Sequence, residues 1–124
     1  MDLFEYAVIR VVPRVEREEF LNVGVVLYCA KQKFLKIIYK IDVKRIAALC
    51  DDCDTDLIIK YLKAFEQVSN GDINSGAMGK LQAAERFRWL TATRSTIVQT
   101  SKVHPGLCAD AGEMLQKLFG QLVE

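Results

Sequence analysis

The sequence predicts an α+β fold: a mainly antiparallel sheet, built from an N-terminal three-strand meander plus a late strand, with helices packed on one face. Apolar and polar residues alternate with period two through short early segments. The links between those segments are too short to hold crossover helices, so neighbouring strands run antiparallel. Aspartates then stand just before segments whose apolar residues recur at helical spacing.

Phe4 to Val12, "FEYAVIRVV", is rich in β-branched and aromatic residues and reads as the first strand, closed by Pro13. Leu21 to Cys29 is the second, with Leu21, Val23, Val25 and Leu27 expected on one face and Asn22, Gly24, Val26 and Tyr28 on the other. Phe34 to Ile41 is the third. It turns Leu35, Ile37, Tyr39 and Ile41 inward and Lys36 and Lys40 to water.

Asp42 is an N-cap for a short helix over Val43 to Cys50, and Asp54 for a longer one over Thr55 to Ser69. Asn70 to Gly79 reads as a surface loop. A helix follows from Lys80 to about Trp89, a fourth strand from Ser95 to Ser101, and a last helix from Ala111 to Val123, its stripe made by Leu115, Leu118, Phe119 and Leu122.

Length and composition point to residues 1–124 as one domain, since 51% hydrophobic residues suffice for a core. No apolar run approaches the ~20 residues of a membrane helix, and the start lacks a secretory pattern, so a cytoplasmic location is expected. Seventeen basic against sixteen acidic side chains leave a charge of +1, which argues neither for nor against a polyanionic partner.

Four cysteines in such a chain are expected to be free thiols. Cys50 and Cys53 have the spacing of half a zinc site, but Cys29 and Cys108 are too isolated to complete one, and no metal or cofactor is expected. His104, the lone histidine, is the candidate acid or base, with Glu19 and Asp110 as further catalytic candidates; the quieter reading makes Asp110 a helix cap. Arg10 lies within the first strand on the face of Tyr6 and Val8, where a half-buried guanidinium needs a partner, and Glu19 is the expected one. Asn22 and Gly24 interrupt a strand that valine would suit better. "RFRWLTATRST", Arg86 to Thr96, mixes aromatics with arginines, the ingredients of base stacking and phosphate contact.

"YAVIRVVPRVEREEFLNVGVVLYC", Tyr6 to Cys29, together with "RFRWLTATRSTIVQTSKVHPGLCAD", Arg86 to Asp110, resembles the bacterial family called domain of unknown function 3037. The resemblance implies a small cytosolic protein whose relatives are often encoded beside a HipA-like kinase. It therefore implies a non-catalytic interaction or regulatory module, with such a kinase as protein partner. Arg10, Asn22, Gly24, Arg94, Ser95 and Thr96 are its expected partner- or ligand-binding residues. Two other readings compete: a small enzyme acting on a phosphorylated or anionic substrate through Arg10, Arg94 and His104, and a nucleic-acid-binding protein.

Overall fold

The computed structural model describes the backbone of residues 1–124 and every side chain except those of residues 73–75. Its sheet has five strands: β1 (Asp2–Val11), β2 (Leu21–Cys29), β3 (Phe34–Tyr39), β4 (Val98–Thr100) and β5 (His104–Cys108). β1 is central. On one side lie β2 and then β3; on the other, β4 pairs with the C-terminal part of β1 and β5 with its N-terminal part, all antiparallel. Ser101 spans the break between β4 and β5, giving its N–H to Val8 O and taking the Val8 N–H on Oγ, both at 2.8 Å.

The helices are α1 (Val43–Leu49), α2 (Thr55–Asn70), α3 (Ala83–Leu90) and α4 (Ala111–Leu122). Asp42, Asp54 and Asp110 cap α1, α2 and α4, each accepting the backbone N–H three residues on. α2 ends at Gly71, whose φ of 68° suits a residue without a Cβ. The expected surface loop carries a short 3₁₀ segment over Ile73–Lys80; the side chains of Ile73, Asn74 and Ser75 lie outside the described residues.

The α+β class holds, but the helices do not share one face. Ile46 of α1, Ile58, Leu62, Phe65 and Val68 of α2, and Phe87 and Leu90 of α3 bury one side of the sheet against Ala7, Ile9, Val11, Val23 and Val26. α4 covers the other side: Ala111, Leu115 and Phe119 pack on Phe4, Val25, Leu27 and Cys29. The wetted face inferred from the alternation of β3 is thus half roofed by α4, with Phe34 and Ile38 against it while Lys36 stays exposed.

β2 also departs from simple alternation. Ile9 pairs with Gly24 but Arg10 pairs with Asn22, so Val23 is an extra residue, a β-bulge. Beyond it the sides exchange, placing Val23 and Val26 in the α2–α3 core and Val25 and Leu27 in the α4 core. Asn22 and Gly24 therefore do not lie side by side on one face. Asn22 faces α4, where its Nδ2 donates to Leu122 O at 3.1 Å. Gly24 is a steric requirement of its neighbour, since a Cβ there would stand 2.7 Å from Ile38 O and 2.9 Å from Tyr39 Cβ.

One further difference has a local cause. β5 occupies a stretch over which no strand was expected: among the described residues it pairs with β1 alone, and a proline without an N–H is tolerated on such an edge. Gly106 fits because the ring of Phe4 fills the space a Cβ would take.

Candidate functional site

Arg10 stands on the α4 side of β1, opposite Asn22 on β2 and Gln99 on β4. Its guanidinium lies 4.0 Å from the centre of the Phe20 ring, a cation–π contact. The expected Arg10–Glu19 bridge does not form. Glu19 instead pairs with Arg17 at 2.6 Å, both side chains exposed at the surface, where the local loop brings them together without crossing to the strand. Two buried polar atoms lack a hydrogen-bond partner among the described residues: Arg10 Nε and Asn22 Oδ1. They belong to directly paired residues, one a donor and the other an acceptor. Burial lowers the pKa of Arg10, the direction expected when a cation loses water without gaining a carboxylate.

The orphan donor makes Arg10 an unusual place for a stabilising substitution. An unsatisfied buried donor costs about 1–3 kcal/mol, whereas a cation–π contact near the surface returns only about 0.5–1 kcal/mol. Arg10→Met keeps the stem and removes the Nε–H, so urea titration should find stability unchanged or raised. A loss above about 2 kcal/mol would show that the guanidinium has a partner worth more than its desolvation.

Arg94 lies on the opposite side of the sheet. Its guanidinium is 4.8 Å from the ring centres of both Phe65 and Trp89, and it donates to Leu90 O and Trp89 O at the end of α3. Arg86 acts likewise on α2, donating to Val68 O at 2.9 Å and Ser69 O at 2.7 Å. These two arginines of the "RFRWLTATR" stretch hold carbonyls in the last turns of α2 and α3, of which Val68 O and Trp89 O also accept a backbone N–H. Phe87 is buried and stacks on Tyr28.

Thr96 donates through Oγ1 to Val98 O at 2.8 Å and fixes the entry to β4; Ser95 is exposed beside it. His104 is exposed on β5 opposite Tyr6, with the ring centres 5.3 Å apart. Tyr6 and Arg10 are four residues apart on β1, roughly 13 Å at 3.3 Å per residue. Asp110 caps α4, so its carboxylate serves the helix and not the imidazole. The structure therefore gathers Arg10 with Asn22, sets His104 along the same side of β1, and leaves Arg94 and Gly24 on the other.

Cys50 and Cys53 form a disulfide, contrary to the expectation of free thiols: their Cα atoms are 5.5 Å apart across a tight turn. Cys29 and Cys108 are free and buried on the α4 side, where burial, reinforced by the neighbouring Cys29, pushes the Cys108 thiol up. Cys53 packs toward the α2–α3 side, so the four sulfurs make no common site. Among the described residues no cluster of three His, Cys, Asp or Glu could hold a metal ion, and no helix is long and apolar enough to cross a membrane.

A feature outside the expected set is apolar. Leu3 and Leu107 are directly paired across β1 and β5 and are 59% and 60% exposed. They sit on the side that α2 and α3 cover farther along β1, at the corner those helices do not reach. Met1, Glu5, Tyr28 and Lys31 join them around a concavity of about 400 Å³. The sequence signal was present in Leu107, but the Pro-Gly pair hid its strand.

The blocks Tyr6–Cys29 and Arg86–Asp110 thus meet in space, the first supplying β1 and β2 and the second the strands that flank β1 on its far side. A family model described as a protein of unknown function, DUF3037, matches residues 6–123. The chain belongs to the DUF3037 family. The DUF3037 match takes in both blocks and the helical segment between them. No curated protein and no solved structure matches the chain.

Proposed function

We propose that this DUF3037 domain is a non-catalytic interaction module that docks a protein partner on the open corner of its sheet. The observation that carries this reading is the exposed Leu3–Leu107 pair beside an edge strand. Paired leucines left in water on the side of the sheet that α2 and α3 cover elsewhere mark a contact surface. β5 pairs only with β1, so an extended segment of the partner can add to its outer edge while its apolar side chains enter the concavity. Glu5 and Lys31 border the same hollow with opposite charges and would fix the partner's orientation. A HipA-like kinase is the first partner to test.

The enzyme reading gains no comparable support, because Arg94 serves α3 on the opposite side from Arg10 and His104. The test is a quantitative affinity purification with wild-type protein and with the Leu3→Asp, Leu107→Asp double variant, followed by titration of the purified HipA-like kinase. A stoichiometric complex is expected, weakened about 100-fold or more by the two charges, the scale of losing two central apolar contacts. The variant should keep its circular dichroism, since both side chains are already exposed. Absence of a stoichiometric protein partner, or equal binding by the variant, would refute the proposal.

A further inference from the structure

We propose that Cys50 and Cys53 form a reversible thiol–disulfide exchange site that reacts with dithiol reductants. The position of the bond separates it from a structural staple. It links residues three apart, from the C-cap of α1 to the residue before the N-cap of α2, and so closes only a very short ring. Stabilisation by a cross-link grows with the size of the loop it closes, and the helices on either side already have their own aspartate caps.

Access distinguishes the two pairs of sulfurs. Cys50 and Cys53 are half-buried, whereas Cys29 and Cys108 are shut inside the α4 core. Cys50 also lines a concavity of about 280 Å³ bounded by Arg14, Arg17, Glu19, Asp51 and Asp52. The concavity gives an incoming thiolate a path to Cys50, where Arg14 offsets part of the repulsion from Asp51 and Asp52, Arg17 being held by Glu19. Cys53 stands one residue before the N-cap of the 16-residue helix α2, whose N-terminal end favours a thiolate. Cys50 is thus the sulfur attacked, and Cys53 the better leaving group.

In the first step a thiolate of the dithiol bonds to Cys50 Sγ, the Cys50–Cys53 bond breaks, and Cys53 leaves as a thiolate that takes a proton from water. The reductant's second thiol, after losing its proton, attacks its own sulfur in the mixed disulfide. Cys50 is released as a thiol and the reductant as a cyclic disulfide, two electrons having passed to the protein. Asp52 Oδ1, 3.0 Å from Cys50 Sγ, then accepts the new S–H.

The native protein, equilibrated with oxidised dithiothreitol and treated with iodoacetamide without denaturant, should show no label on the peptide carrying Cys50 and Cys53. Reduced dithiothreitol should make that peptide take two labels while Cys29 and Cys108 take none. Labelling of both residues without reductant, or reduction only in step with unfolding, would overturn the proposal. Because a double Cys→Ser variant tests the fold alone, Cys53→Ser supplies the second readout. It should trap a mixed disulfide with glutathione at Cys50, whereas a Cys50 that stays free in oxidised glutathione would defeat the assignment. The double variant should unfold at the wild-type urea midpoint, and a clear drop would make the bond a staple and the exchange reading wrong.

Discussion

Replacing Gly24 with valine should destabilise the domain by about 3 kcal/mol, at the upper end of the range for overpacking a filled site. By strand propensity alone the change should help, but that scale spans only about 1 kcal/mol. Sterics decide the sign, because the first added carbon meets the backbone oxygen of Ile38 and the Cβ of Tyr39. Neither is the loose end of a flexible side chain, so β3 must move as a unit or β2 must lose its bulge. Gly24→Ala should lose about 1–2 kcal/mol for the same reason. Urea unfolding followed by circular dichroism checks both: the midpoint should fall with an unchanged slope. An alanine variant as stable as wild type would show that β3 yields freely.

Leu62→Ala should cost about 2–5 kcal/mol, the range for deleting a buried leucine and leaving a cavity. Leu62 has no exposed surface and lies midway along the buried stripe of α2, between Ile58 and Phe65. Leu57, on the same helix but 39% exposed, provides the control: its alanine variant should stay within about 0.5 kcal/mol of wild type. If both variants lost the same amount, the stability of the domain would not rest on the α2 face of the sheet. Loss of near-ultraviolet circular dichroism in Leu62→Ala with retained helix content would place the defect in side-chain packing.

The boundaries of β2 and the aspartate caps of α1, α2 and α4 were legible because they depend on neighbours in sequence. β3 was legible too, its Leu35 and Ile37 falling in the core as the alternation requires. What escaped depends on distant chain. Arg10 was expected to find Glu19, and nothing local foretells that Arg17 takes that carboxylate while Phe20 lies against the guanidinium. β5 was obscured because Pro105 and Gly106 signal a turn unless a strand edge and the Phe4 ring receive them. The second roof, α4, was misplaced because one apolar stripe looks the same whichever side of a sheet it covers.

Among the expected site residues, the pairing of Arg10 with Asn22 was implicit in a meander, but the separation of Arg94 was not. Arginine beside tryptophan reads equally well as a ligand clamp and as a cap on a helix end. Only the positions of the Trp89 and Leu90 carbonyls distinguish them.

The bulge at Val23 makes β2 a strand written in two reading frames. Before it, residues 21 and 23 share a side; after it, residues 26 and 28 continue on that side while 25 and 27 turn to the other. Deleting Val23 would therefore merge the two frames into one regular alternation, each remaining residue of the strand keeping its partner on β1 and its side of the sheet. Both frames are apolar, so the hydrophobic pattern of β2 tolerates either. Asn22 and Gly24, the two residues that looked out of place, are the punctuation that selects one of them: the first is tied to the end of α4, and the second is kept bare for β3.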